Sequence, residues 1–249
     1  MSKTKFMAWV WLVVLSLVAF GQTDEQLLQR ADRVRFLEAS SFLLSSKAIA
    51  ERPDGRGEAL MTIYSKRFPE GVRTRIEFVA PESLRGTVYL IVGDDVYFWQ
   101  PGLLQPLKIS GQQKIFGDAS IGEAAGIQFS GKYLVKSRQE EKLNDMEALK
   151  LSLEAHTERV AFPKVTLWVE KKELKPVQAI LHAVSGEPLK KTIYTKYARL
   201  DGDEYAEEIV IEDLLFKNLR TTMQIVDVKI QDLSDDLFDP GKLGKSAGG

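Results

Sequence analysis

The residues best equipped for chemistry are scarce in this chain, and their spacing suits little of it. Two histidines, His156 and His182, are the only imidazoles, and there is no cysteine to serve as nucleophile or thiolate ligand. His182 falls between Ile180 and Val184 on one side of a strand-like run whose other side, Val177, Ala179, Leu181 and Ala183, reads as core. His156 falls at a turn, and two histidines so placed match no metal-ligand spacing. The carboxylate pairs Glu207-Glu208 and Asp235-Asp236 are adjacent in sequence, so in a strand their side chains would point to opposite faces. The stretch from Gly241 to Ser246 contains the Gly-Lys-Ser of a phosphate-binding loop. That loop also needs a glycine where this chain has Asp239, and a helix where only Ala247-Gly248-Gly249 follow. There is no Gly-x-Ser-x-Gly elbow of a serine hydrolase. The inventory points away from an enzyme, and no cofactor or metal is expected.

What remains is a question about apolar surface. Val96, Tyr97, Phe98 and Trp99 run together without a polar interruption, whereas a strand with one wet face alternates. Both faces of this strand must therefore meet something apolar. The run Thr87 to Val92 turns at Gly93-Asp94-Asp95 and returns through Val96 to Gln100, stopped by Pro101-Gly102. Placing Val92 opposite Val96 puts Tyr89 against Trp99 and Ile91 against Tyr97 on one face, with Leu90 and Phe98 on the other; a slip of one residue would mix the sets.

The elements that must position this hairpin are mostly strands. Asp24 to about Leu44 reads as an amphipathic helix, with Leu27, Leu28, Ala31, Val34 and Leu37 on one side, capped by Thr23 or Asp24. The period then changes to two: Gly57 to Lys66 and Val72 to Phe78 alternate as half-buried antiparallel strands. After the hairpin, Ile115 to Gly131 is rich in glycine and alanine with Phe116, Ile121, Ile127 and Phe129 between, which suits a loop or short helix that shifts as a gate. Seven further strands follow in a meander, at Lys132–Gln139, Glu147–Ala155, Lys164–Glu170, Lys175–Val184, Leu189–Tyr197, Tyr205–Asp213 and Leu219–Ile230. The glycine- and lysine-rich end, Gly241 to Gly249, reads as a flexible tail.

The start of the chain bears on location. Lys3 and Lys5 precede an uncharged run to Phe20, and Ala19-Phe20-Gly21 offers small residues before Gln22, the pattern of a secretory signal peptide cleaved near Gly21. The apolar run would span only about 22 Å as a helix against a hydrocarbon core of about 30 Å. The expectation is residues 1–21 as signal, 22–240 as one mainly β domain and 241–249 as tail, in an exported, periplasmic protein. Formal net charge is −1, with basic and acidic residues interspersed, which argues against nucleic acid as a partner.

The order of these features resembles the outer-membrane lipoprotein-sorting family, carriers of the LolA/LolB type. The resemblance is carried by the signal, the amphipathic first helix, Arg75-Ile76-Glu77-Phe78-Val79-Ala80-Pro81, and Asp94-Asp95-Val96-Tyr97-Phe98-Trp99-Gln100-Pro101. Later come Val165-Thr166-Leu167-Trp168-Val169-Glu170 before Pro176, and Asp236-Leu237-Phe238-Asp239-Pro240. It implies an incomplete, unclosed antiparallel β-barrel, a strongly curved sheet with the N-terminal helix and a short helical or loop lid on its concave face. It further implies a non-catalytic periplasmic carrier that holds acyl chains of lipoproteins or lipids in an apolar cavity and passes them between envelope donor and acceptor proteins. Transient contact with a membrane surface and a monomeric state belong to the same expectation. The residues it implies for the cavity are Ile76, Phe78, Tyr89, Ile91, Tyr97, Trp99, Phe116 and Ile121. The family's lid-locking polar residue matches none of these motifs, so no arginine is carried over. The alternative is an envelope interaction or sensing module of the same shape that binds a partner protein through its aromatic face and carries no lipid.

Overall fold

The computed structural model describes residues 23–157 and 160–244; the expected signal segment lies outside them. Thr23 caps the first helix, α1 (Asp24–Arg33), in a reciprocal box: its hydroxyl accepts from the Gln26 N–H, and the Gln26 side chain accepts from the Thr23 N–H. α1 ends at Arg33, well short of the expected Leu44. Ser41 to Arg52 forms a long strand, β1, whose burial alternates from Leu44 to Ala50 as an inner and outer face require. The serine-flanked apolar residues of this segment fit either period by composition; pairing on both sides decides it, with β2 (Gly55–Phe68) and with β15 (Arg220–Ile230).

The strands after β2 follow the expected rhythm at β3 (Gly71–Ala80), β4 (Val88–Val92) and β5 (Asp95–Trp99); the short β6 (Leu107–Ile109) was not expected, and the meander then follows as β9 (Tyr133–Leu143), β10 (Met146–Ala155), β11 (Lys164–Glu170), β12 (Pro176–His182), β13 (Pro188–Leu200), β14 (Asp203–Asp213) and β15. They form one antiparallel, unclosed, curved sheet of 13 strands in the order β6-β5-β4-β3-β2-β1-β15-β14-β13-β12-β11-β10-β9. Between β6 and β9 the chain leaves this sheet to form a two-stranded ladder, β7 (Lys114–Phe116) and β8 (Ala119–Ser120), and a five-residue helix, α2 (Ile121–Ala125).

Three apolar clusters result. On the inner face, Leu27, Leu28 and Ala31 of α1 pack on Tyr133, Leu151, Leu167 and Leu181. Farther along that face, Ile115 and Ile121 cover Ile63, Ile76 and Phe78. The third cluster lies on the outer face, where Leu233, Phe238 and Leu243 cover Val88, Leu90, Tyr97 and Trp99. Where the tail was expected to begin, residues 240–242 form a 3-10 turn and Leu243 is buried. Among the described residues no helix is long and apolar enough to cross a membrane.

The hairpin register differs from the expected one. Val92 pairs with Asp95, Ile91 with Val96, Leu90 with Tyr97, Tyr89 with Phe98 and Val88 with Trp99. The loop is two residues, Gly93 and Asp94, and Gly93 has a φ of 60°, a left-handed conformation that glycine takes without a Cβ penalty. That one-residue slip sends Tyr97 and Trp99 to the outer face while Tyr89 stays inside.

Candidate functional site

Between the two inner clusters the sheet leaves a cavity of about 900 Å³, near the top of the range of about 300–1,000 Å³ typical of pockets that enclose a drug-sized ligand. Its sheet wall includes Leu44, Ile63, Ile91, Ile209, Met223 and Val228; α2 and the loop after it supply Ile121, Ala124, Ala125 and Ile127 opposite. Of the residues the resemblance implied, Ile91 and Ile121 line the cavity. Ile76, Phe78, Tyr89 and Phe116 belong to the inner core beside it. Tyr97 and Trp99 do not reach it. They face the C-terminal segment, and the Trp99 Nε1–H donates to the Leu103 carbonyl at 3.1 Å.

The segment expected as a gate does cover the cavity, and buried charge fastens it at two points. At the first, the Ser120 hydroxyl accepts from the Glu123 N–H, capping α2, while Glu123 Oε2 accepts from the Ser120 N–H (2.9 Å), the Ser120 hydroxyl (2.7 Å) and Lys190 Nζ (3.1 Å). The Thr192 hydroxyl donates to Glu123 Oε1 at 3.2 Å, and Lys190 also donates to the Asp118 carbonyl. Lys190 and Thr192 lie on β13, so α2 is tied to the middle of the sheet.

The second point joins the end of the gate to α1. Asp32 accepts from the Phe129 N–H (3.0 and 3.1 Å to its two oxygens), the Ser130 N–H (2.8 Å) and the Ser130 hydroxyl (2.7 Å). Arg35 donates to Asp32, to the Ile127 carbonyl at 2.6 Å and to the Tyr194 hydroxyl at 3.1 Å. Its guanidinium lies 4.4 Å from the Phe129 ring centroid and 4.7 Å from that of Phe36, close enough for cation–π attraction. Burial alone would lower the Arg35 pKa, but Tyr194, Asp32 and Tyr197 together hold it above its ordinary value, so the charge persists. Burial raises the Tyr194 hydroxyl as well, which keeps it a neutral acceptor.

Between the two fastenings runs Ala124-Ala125-Gly126-Ile127. Gly126 has a φ of 82°, and a Cβ there would come within 2.3 Å of Phe36, so only glycine lets the gate lie this close to the residues following α1. Sequence reasoning missed both Asp32 and Arg35, yet a signal existed. Leu28, Asp32 and Arg35 continue the apolar stripe at helical spacing, and a charge on a buried stripe needs a buried partner.

Other candidates resolve structurally. His182 is held by the Thr166 hydroxyl at 3.0 Å and the Gly186 carbonyl at 3.1 Å. Asp235 pairs with Lys66 and Asp236 with Lys242. Among the described residues no group of three or more His, Asp or Glu stands close enough together to hold a metal ion.

The fold, an unclosed curved sheet with an inner cavity covered by α2 and the loop after it, is shared with solved structures. A family model described as "Uncharacterized protein"-like matches residues 70–245. A LolA superfamily protein from Nitrosomonas europaea is 27% identical, with a TM-score of 0.78 over 86% of this chain and 96% of that one. Two more distant structures share the fold at a TM-score of 0.75. One is a domain described as an outer membrane lipoprotein-sorting protein from Vibrio parahaemolyticus, 18% identical over 88% of this chain and 97% of that one; the other is a DUF1329 family protein from Desulfovibrio piger, 19% identical with the same coverage. No curated protein matches. The chain belongs to the family that this model describes, and its fold is that of the LolA superfamily.

Proposed function

We propose that this protein is a non-catalytic carrier of the bacterial periplasm that shelters acyl chains of lipoproteins or lipids and passes them between envelope proteins. The observation that carries this reading is the gated cavity of about 900 Å³, apolar on its sheet wall and on its lid. An acyl chain gains about 0.8 kcal/mol per methylene on leaving water, and it already has that gain in a membrane. A carrier's cavity therefore needs only to match the bilayer. Pick-up and release then turn on whether the gate is open, an equilibrium that donor and acceptor proteins shift by binding one state better than the other. In this reading the Asp32–Arg35 fastening is the latch: it releases the Ile127 to Ser130 end of the gate while Glu123 and Lys190 keep α2 attached. The protein works as a monomer that touches the membrane surface only in passing.

The partner-binding reading without lipid relied on an exposed aromatic face. Tyr97 and Trp99, the residues that would form it, are covered by Phe238 and Leu243 of the same chain, so we favour the carrier. The deciding experiment is lipid extraction and mass spectrometry on protein purified from bacterial membranes, with melting temperature recorded before and after lipid is added back. Co-purifying acyl lipid and a stabilisation that grows with lipid concentration are expected. Lipid-free protein whose melting temperature ignores added lipid would refute the carrier.

A further inference from the structure

The charges around the cavity are almost perfectly balanced, with one exception. Asp94 pairs with Lys132 at 2.8 Å and Asp95 with Lys108 at 2.7 Å, and the remaining charged lining residues are in ion pairs as well, apart from Arg67. Among the described residues the Arg67 guanidinium has no counter-charge. It is exposed, near the end of β2 and two positions beyond Ser65, and so on the same face of the strand.

Polarity along this wall is graded. Leu44 pairs with Ile63, and Ile63 with Ile76, across three strands as an apolar row. One step toward Arg67, Ser65 pairs with Thr74, which pairs with Ile91. Ser65 and Thr74 are 7% and 9% exposed, line the cavity, and have hydroxyls that hydrogen-bond to no described residue. The next pair outward is Arg67 with Val72. The wall thus runs from aliphatic, through free hydroxyls, to an unpaired cation at the opening. Hydroxyls that open onto a cavity without a protein partner are free to bond a ligand, and a cation without a partner beside them supplies the charge that a head group with several acceptor oxygens would satisfy.

We propose that Arg67, Ser65 and Thr74 recognise the anionic head group, carboxylate or phosphate, of an acyl-chain amphiphile whose chain lies along Leu44 and Ile63. This rests on the carrier reading and adds the chemistry of the cargo's polar end.

Calorimetric titration of the purified chain with laurate, dodecyl phosphate and the neutral 1-lauroylglycerol tests it, since the three share nearly the same chain. At low salt at least one anionic probe should bind about threefold to fivefold more tightly than the neutral one, the upper part of the range for a solvent-exposed charge pair. Which anion gains identifies carboxylate or phosphate as the natural head. Arg67→Gln should abolish the preference and leave affinity for 1-lauroylglycerol unchanged, and Arg67→Glu should invert it. Replacing both Ser65 and Thr74 by Ala should reduce the preference without touching the neutral probe. If all three probes bind the unaltered protein equally, or if Arg67→Gln keeps the preference, the head-group assignment is wrong while the carrier stands. If none of the three probes binds, the carrier fails and this inference with it.

Discussion

Replacing Asp32 by Asn isolates the latch, because it preserves shape while removing one charge. In the folded protein the Asp32 carboxylate accepts from two backbone N–H groups, one hydroxyl and Arg35, whose side chain is 3% exposed. Asn leaves that guanidinium buried without a counter-charge and turns an NH2 group toward donors. Breaking a buried pair by removing one partner costs about 3–5 kcal/mol. For a chain of this length that is a fall in melting temperature of roughly 6–20 °C. Urea denaturation followed by circular dichroism should give the free energy directly. Combining Asp32→Asn with Arg35→Met should recover part of the loss, since the orphaned charge is then gone, and the double-mutant cycle should show coupling of about 2 kcal/mol or more. Hydrogen exchange should rise at the Phe129 and Ser130 amides first, because their acceptor is what changed. A loss under about 1 kcal/mol with unchanged exchange at those two amides would refute the latch.

Trp99→Ala should cost about 3 kcal/mol of stability, the lower end for a large aromatic since the ring is only partly buried, and leave the affinity of a fluorescent acyl probe unchanged; a fall in affinity larger than the stability loss would put Trp99 in the cavity. Tyr133 and Tyr197 have hydroxyl pKa values raised by burial, Tyr197 further by Tyr194. The unfolded chain, with tyrosines near pH 10, therefore releases these protons first. Their contribution to stability is full below about pH 10 and is lost as pH rises beyond it. Absorbance at 295 nm should show these tyrosines ionising only as the chain unfolds; complete ionisation of all seven tyrosines in a still-folded chain would contradict it.

Period-two alternation located β2 and β3, because each has one face on a core, while turn residues located β4 and β5, whose apolar run does not alternate, and marked out the meander from β9 to β15. β1 was not legible. It lies at the centre of the sheet, and its pairing with β15 depends on residues far away in the chain. The first helix was legible in its apolar face and not in its end, since Val34 and Leu37 continue to be buried after the helix has stopped. The cavity was half legible. Ile91 and Ile121 line it, but the hairpin turns at Gly93 and Asp94 in a register one residue from the expected one, which puts Tyr97 and Trp99 on the outer face. The latch was half legible: the spacing puts Asp32 and Arg35 on the buried stripe, but their partners at Phe129 and Ile127 arrive from another part of the chain.

The seam between β1 and β15 also dictates an order of assembly. Hairpins on either side of it can close locally, as β2 does with β3 and β13 with β14. The centre of the sheet instead waits for segments such as Ser41 and Gln231, whose side-chain-to-backbone hydrogen bond spans 190 residues. Loop closure over that distance is slow compared with hairpin formation. Until it happens the two half-sheets have apolar inner faces and no shared cavity. A chain that arrives from its amino end must therefore be almost fully delivered before the middle of its sheet can exist, and in that interval its β1 edge is the one most open to a foreign strand.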